Sequence, residues 1–357
     1  MAILAPISWR VPPLHYGPWE QFASLLTEGL VERGLDVTLF ATANSMTDAR
    51  LVSSAPQGYS EDPRLDAKVC ECLHIAAVFE HASAFDLVHN SFDFLPLCFS
   101  DLVETPMVTT IHGLSSEQIL PVYQKYNLGN HYVAISNADR HPVLEYAATI
   151  HHGIDMAAFD LGQGTRDYLL FFGRIHPEKG TAEAIRIAEL AKLPLVIAGI
   201  VQDRSYFERE VEPHIGTGRV SFVGAVGPER KSALLGGARA LLHFINFEEP
   251  FGFSVIEAMA CGTPVIARRR GAMPELITVG VNGFLVDSIE DAVVAVGSAS
   301  DLPGHSVRSS IALHFSAERM VDEYLALYER ILGSPDRAGP RKGHRSARGT
   351  QLTLVPK

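Results

Sequence analysis

Short apolar, β-rich runs alternate with amphipathic helical stretches from one end of this chain to the other, and the alternation restarts midway. Each strand followed by a helix must be carried back over the sheet before the next strand begins, so the pattern demands parallel sheets with helices on both faces. In the first half the runs are Ala2–Ser8, Leu35–Ala41, Phe85–His89, Met107–His112 and Tyr132–Ser136. Between the first two, Phe22, Leu25, Leu26 and Leu30 fall on one face of a helix over Trp19–Arg33, opened by Pro18 and stopped by Gly34. Tyr168–Gly173, Leu195–Gly199, Val220–Gly224, Ala240–Ile245 and Pro264–Ala267 repeat the pattern. With 357 residues and about 150 per domain, two doubly wound α/β domains are expected, joined by a linker over residues 151–167. Ser316–Leu332 reads as a strongly one-sided helix.

Composition narrows the class. The chain is 47% hydrophobic and 20% charged, a globular balance, and no apolar run approaches the roughly 18 residues of a membrane helix, so no transmembrane segment is expected. The first residues, MAILAPISW, carry no basic segment or cleavage site and read as a strand and not a signal peptide. Cys70, Cys72, Cys98 and Cys261 are too scattered for a disulfide framework, which points to free thiols and a cytoplasmic location. The net charge of −11 is uneven: residues 336–357 carry +5 and read as a basic, disordered tail, leaving −16 on residues 1–335. So acidic a body excludes nucleic acid as the main partner.

Ligands of open parallel sheets sit beyond the carboxyl ends of the strands, so candidate chemistry is sought there. The richest segment is HFINFEEPFGFSVIEAMACGTPVIARRRGAMPELI, residues 243–277, in which Glu249 and Phe251-Gly252-Phe253 precede a helix carrying Glu257. A helix N-terminus offers unpaired N–H groups and a favourable dipole to a phosphate, while carboxylates accept hydrogen bonds from sugar or ribose hydroxyls. Each group has a plainer reading: Ser254 and Glu257 fit a capping box, and Glu249 fits a solvated loop acid. Arg174 and Lys179, in GRIHPEKG (residues 173–180), emerge after a strand and fit either a phosphate clamp or a surface ion pair. Gly17, before the first helix, fits an anion-contacting N–H or an ordinary turn. His112 ends the strand MVTTIHG and fits a cleft residue or a structural one, and Ser136 and Asn137 end another strand.

No dinucleotide fingerprint, P-loop, nucleophile elbow, H-E-x-x-H or D-x-D is present. Paired-aspartate metal chemistry is therefore not expected.

Glu249 and Glu257, with seven residues between them in EPFGFSVIEAMACGTPVIA, together with YGPWEQFASLLTEGLVERGLDVTLFA, TIHG, VAIS, HGID, FFGRIHPEKG and GFLV, resemble the retaining glycosyltransferases of family 4, the glycogen-synthase-like group with the GT-B fold. The resemblance implies two Rossmann-like domains facing across a cleft: an acceptor-side domain over 1–157 rejoined by the helix 316–335, and a nucleotide-sugar domain over 158–315. It implies that Arg174 and Lys179 hold the donor diphosphate, Glu257 the ribose and Glu249 the transferred sugar. Backbone groups of Phe251, Gly252 and Phe253 would line the sugar pocket, His112 would reach the sugar from the other domain, and Gly17 would meet the distal phosphate.

The implied activity is metal-independent, retaining transfer of a hexosyl group from a nucleotide-diphosphate sugar to a hydroxyl acceptor, with no further cofactor. The acceptor, a small molecule, saccharide or lipid-linked group, is expected against Pro12–Tyr16, Ser45–Asp62 and Ser91–Pro96, with Trp9, Tyr16 and Trp19 offering ring faces. A GT-B phosphorylase or epimerase and a non-catalytic nucleotide-sugar binder are the alternatives. Two departures stand out. Pro18 replaces a frequent second glycine and lacks an N–H, and Gly271-Ala272-Met273-Pro274-Glu275 stands where two glycines often precede Pro-Glu.

Overall fold

In the computed structural model, which describes residues 1–14, 17–113, 116–162, 164–216 and 218–333, the alternation becomes two all-parallel sheets. The first contains β1 (Ala2–Leu4), β2 (Thr38–Phe40), β3 (Arg50–Val52), β4 (Val88–Asn90), β5 (Met107–Ile111), β6 (His131–Ala134) and β7 (Ala148–Thr149), in the order β3-β2-β1-β4-β5-β6-β7. The second contains β8 (Leu169–Phe172), β9 (Leu195–Ala198), β10 (Val220–Gly224), β11 (Ala240–His243), β12 (Val265–Arg268) and β13 (Gly283–Val286), in the order β10-β9-β8-β11-β12-β13. Strand order reverses beside β1 and beside β8, and the crevice at such a reversal is where these sheets take ligands.

The crossovers carry α1 (Pro18–Glu32), α2 (Ala67–Glu80), α3 (Leu120–Tyr126), α4 (Thr181–Ala191), α5 (Arg204–Tyr206), α6 (Pro228–Gly237), α7 (Phe253–Ala260), α8 (Met273–Leu276), α9 (Ile289–Ala299) and α10 (Gly304–Ala312). Central strands are covered on both faces, which is why they read as unbroken apolar runs. Ile3 packs with Phe22, Leu26 and Leu30 of α1, while its neighbours Ala2 and Leu4 face the layer containing Phe40, Ile75 and Val78.

The last described helix, α11 (Ala317–Gly333), lies on the first sheet's layer, with Met320, Val321, Tyr324, Leu327, Tyr328 and Ile331 buried against α1. Leu325 and Leu332 are half-buried beside them. A buried polar chain anchors the helix. Tyr324 Oη meets Thr110 Oγ1 at 2.7 Å, Thr110 Oγ1 meets His89 Nε2 at 3.1 Å, and Tyr328 Oη meets His89 Nδ1 at 2.6 Å.

Three features differ from the sequence expectation. Edge strands β3 and β7 are partly exposed and leave no unbroken apolar run, β13 appears in the sequence only as the GFLV segment, and α2 hides its period because Val69 and Leu73 are exposed. The first strand ends at Leu4, beyond which the chain turns toward the cleft and the Ile7 carbonyl accepts the Tyr59 N–H. Within the expected linker, residues 154–159 are tied down: Ile154 bonds to Phe315 and Ala317, and Arg308 donates to the carbonyls of Met156 and Phe159. The basic tail, residues 336–357, lies outside the described residues.

Candidate active site

A cleft of about 1090 Å³ runs along the carboxyl ends of both sheets. Arg174, Lys179, His112, Glu249, Gly17, Phe251, Gly252, Phe253 and Glu257 all line it, although the chain separates them by up to 240 positions.

The wall from the second sheet carries the cations. Arg174 leaves the end of β8 and donates through Nη1 to Gln202 Oε1. Lys179 occupies the turn before α4, held there because Gly180 has φ 75° and any Cβ would lie 1.8 Å from the Phe244 carbonyl oxygen. Its ammonium pairs with Glu249 Oε2 at 2.6 Å and sits 4.6 Å from the Phe247 ring centre. His243, at the end of β11, stands 3.7 Å from the same carboxylate oxygen, and burial lowers its pKa to about 4, so it is neutral at pH 7.

Helix α7 starts at Phe253, with Gly252 as its N-cap at φ 112° and no side-chain cap. Ser254 lies inside the helix, so the S-x-x-E capping box does not form. Glu257 instead pairs with Lys231 of α6, which lies over the rings of Phe159 and Phe172. The first N–H groups of a helix have no partner within it, and Phe253 and Ser254 line the cleft. This wall therefore joins three cations, the three carboxylates Glu248, Glu249 and Glu257, and a helix N-terminus, which suits a diphosphate between two hydroxylated groups.

The opposite wall is aromatic. Gly17 caps α1 at φ 151°, where a Cβ would lie 2.8 Å from Glu20 Oε2 and 2.9 Å from Pro13 Cβ. Trp19 stacks on His112 at 5.1 Å, His112 on His152 at 5.1 Å, and His152 on Phe253 at 4.9 Å, forming a column of rings from one domain to the other. His112 Nδ1 and His152 Nε2 share a hydrogen bond of 3.2 Å, while His112 Nε2 and His152 Nδ1 are buried without a protein partner. Burial, reinforced by each imidazole's charged or histidine neighbours, holds both pKa values well below the ordinary range, that of His152 at about 3.

Ser136 and Asn137 tie the walls together. Ser136 Oγ donates to the Pro250 carbonyl at 2.7 Å. Glu275 accepts from the Asn137 amide at 3.0 Å, the Ala138 amide at 2.8 Å and His151 Nε2 at 2.8 Å. Burial alone would raise the Glu275 carboxyl, but these donors outweigh it and hold its pKa below the ordinary value. Pro13, Leu14, Tyr59 and Phe92–Leu95 represent the three expected acceptor loops in the lining, with Trp9 and Trp19; Tyr16 lies outside the described residues.

Sequence reasoning missed Lys231, His152, His243, Gln202 and Glu275 as site residues. His152 opens the HGID segment, His243 opens the segment singled out for Glu249 and Glu257, and Glu275 closes Gly271–Glu275, each quoted for other reasons, whereas Lys231 and Gln202 lie in no recognisable motif.

Residues 157–301 match the family Glycosyl transferases group 1. D-inositol 3-phosphate glycosyltransferase of Mycolicibacterium smegmatis is 26% identical, with 88% of this chain and 87% of the relative aligned. The protein of the same name from Mycobacterium tuberculosis strain H37Ra is also 26% identical, over 88% and 79%. Among solved structures, sucrose-phosphate synthase from Thermosynechococcus elongatus superposes with a TM-score of 0.74 at 21% identity, covering 92% of this chain and 98% of that one. Anabaena Alr3699/HepE in complex with UDP and glucose gives 0.70 at 16% identity, over 91% and 98%. AviGT4, a glycosyltransferase involved in avilamycin A biosynthesis, gives 0.68 at 23% identity, over 93% and 98%.

Proposed function

We propose that the chain is a family-4-like glycosyltransferase with the GT-B fold that moves a sugar from a nucleotide-diphosphate donor to a hydroxyl acceptor, with retained anomeric configuration and no metal, a reading supported by the family match and the glycosyltransferase relatives. The observation that carries the reading is the second wall, where Arg174, Lys179, Lys231 and the start of α7 converge on one stretch of cleft.

Transfer builds negative charge on the departing diphosphate, and preorganised cations and N–H groups in a partly dry cleft stabilise that charge most strongly in the transition state. Arg174 and Lys179 take the diphosphate. Glu257 takes the ribose hydroxyls once Lys231 turns to the phosphate, and Glu249 takes hydroxyls of the transferred sugar once Lys179 does the same. Backbone groups of Phe251, Gly252 and Phe253 line the sugar pocket, His112 meets the sugar through Nε2, and Gly17 meets the distal phosphate. The bond from the anomeric carbon to the phosphate oxygen breaks. A bond to the acceptor oxygen forms on the same face, and the acceptor proton passes to the leaving phosphate. The walls exclude water from the donor while this happens.

Anabaena Alr3699/HepE binds UDP-glucose, which makes UDP-sugars the first donors to test. Among the described residues no helix is long and apolar enough to cross a membrane. The test is a thermal-shift screen with UDP-, GDP- and ADP-sugars, followed by mass spectrometry of products and NMR of the new anomeric centre. Retention and full activity in EDTA are expected. An inverted product, or activity abolished by EDTA and restored by a divalent ion, refutes the mechanism.

A further inference from the structure

His152 is boxed in by rings. Phe253 stacks on it at 4.9 Å, while Phe251 at 5.1 Å and Phe22 at 4.9 Å meet it at interplanar angles of 81° and 54°. Arg319 holds its main chain, donating through Nη2 to the carbonyls of His151 at 2.7 Å and His152 at 3.2 Å. So confined, the His152 ring keeps one orientation and sets its Nε2 3.2 Å from His112 Nδ1. Both imidazoles are neutral at pH 7, His152 through burial first and then the charge of Arg319. Each ring therefore carries one proton, and the choice of donor in the shared hydrogen bond fixes where the other proton sits.

Two arrangements satisfy that bond. If His112 donates, His152 must hold its proton on Nδ1, which is buried without a protein partner. If His152 donates, its Nδ1 keeps only a lone pair, and the proton of His112 moves to Nε2. A trapped N–H is rarer in folded proteins than an unfilled acceptor. Both rings line the cleft, but His112 is 8% exposed and His152 only 1%, so an unpaired N–H finds a ligand more readily on His112. Arg319 lies on the main-chain side of His152, the side nearer Nδ1, where its positive charge favours a lone pair over an N–H.

We infer that His152 is a positioning residue for transfer: it donates from Nε2 to His112 Nδ1, so that His112 presents an Nε2–H, and not a lone pair, to the donor sugar. The inference rests on the glycosyl-transfer function proposed for this cleft. His112 then gives a hydrogen bond to a sugar oxygen and cannot act as a base through Nε2, in agreement with passage of the acceptor proton to the leaving phosphate. Phe251 and Phe253 come from the second domain, so the docking of the two walls holds His152 and, through it, the orientation of His112.

The test begins with NMR of the full chain labelled with ¹⁵N-histidine, recorded without donor, the two rings being assigned by the signals that His112→Asn and His152→Asn remove. Both rings are expected in the Nε2–H form at pH 7, and an Nδ1–H form of His112 overturns the inference. His152→Phe keeps a ring against Phe253 but loses both nitrogens. It should lower kcat about tenfold while leaving the Kd of the bare nucleotide unchanged. His152→Gln, whose amide nitrogen can take the place of Nε2, should restore most of that loss. On a His112→Phe background, His152→Phe should cost less than about twofold in kcat, because its effect passes through His112. Equal losses on the two backgrounds, or an unchanged kcat in His152→Phe, overturn the inference. If no nucleotide sugar is turned over, the glycosyl-transfer reading fails, whereas an Nδ1–H His112 refutes the positioning alone, so the two failures are distinct.

Discussion

Replacing Lys179 with methionine separates what its ion pair does for the fold from what it does for transfer. The Lys179 and Glu249 side chains are 16% and 14% exposed and meet at 2.6 Å. Removing one partner of a buried pair leaves the other charge uncompensated and costs about 3–5 kcal/mol, with the lower end expected at a cleft edge. At about 2–4 °C per kcal/mol for a domain of this size, a 3 kcal/mol loss lowers the melting temperature by about 6–12 °C.

Glu249→Gln on top of Lys179→Met removes the stranded charge and brings a neutral amide toward the unpartnered His243 Nε2, so stability should recover most of that loss. Transfer should not recover. Loss of a preorganised group facing the leaving diphosphate costs about 10²–10³-fold in kcat, and the double variant still lacks it. Calorimetry and product mass spectrometry on wild type, both single variants and the double variant complete the cycle. Near-normal transfer by Lys179→Met at reduced stability would show that the pair is only structural. Failure of the double variant to regain stability would refute the buried-charge account.

Acid should destabilise the protein between about pH 6.5 and 4. Burial holds His74 and His243 at about 4, His89 and His152 at about 3, and His112 well below its ordinary value. Below pH 6.5 the unfolded chain therefore binds five protons that the folded chain refuses. Glu20 and Asp139, both raised to about 7, act oppositely, since the folded chain binds their two protons first. The net excess of three protons corresponds to at most about 4 kcal/mol per pH unit, so the urea midpoint should fall from pH 7 to pH 5, and a rise would contradict the assignment. Glu275→Ala deletes the carboxylate that gathers Asn137, Ala138 and His151, so the two walls lose their shared clasp. A larger radius of gyration by X-ray scattering and about tenfold lower kcat are expected, and no change in either would exclude a positioning role.

Much of the architecture was legible because β1, β8, β9 and β11 are covered on both faces, and only unbroken apolar runs satisfy that. Strand ends in such sheets face the ligand crevice, so Arg174, Lys179 and His112 could be picked from their place after a run, and Glu249 and Glu257 from their spacing around a helix start. Edge strands β3 and β7, short and partly exposed, left no comparable pattern.

What tertiary structure alone decided is the set of partners. Lys231 meets Glu257 across 26 residues, His112 meets His152 across 40, and Ser136 reaches Pro250 across 114. No local periodicity records such pairs, because they arise only when separately folded layers dock and their strand ends are brought face to face. The same docking discarded the capping box at Ser254, which local spacing permits, and put Gly252 in its place, because the chain must enter α7 at φ 112° to set Phe251 and Phe253 against His152. Local sequence thus specified the elements and the ends at which chemistry gathers. Which cation faces which carboxylate in the cleft was set by the distant side chains that packing placed together.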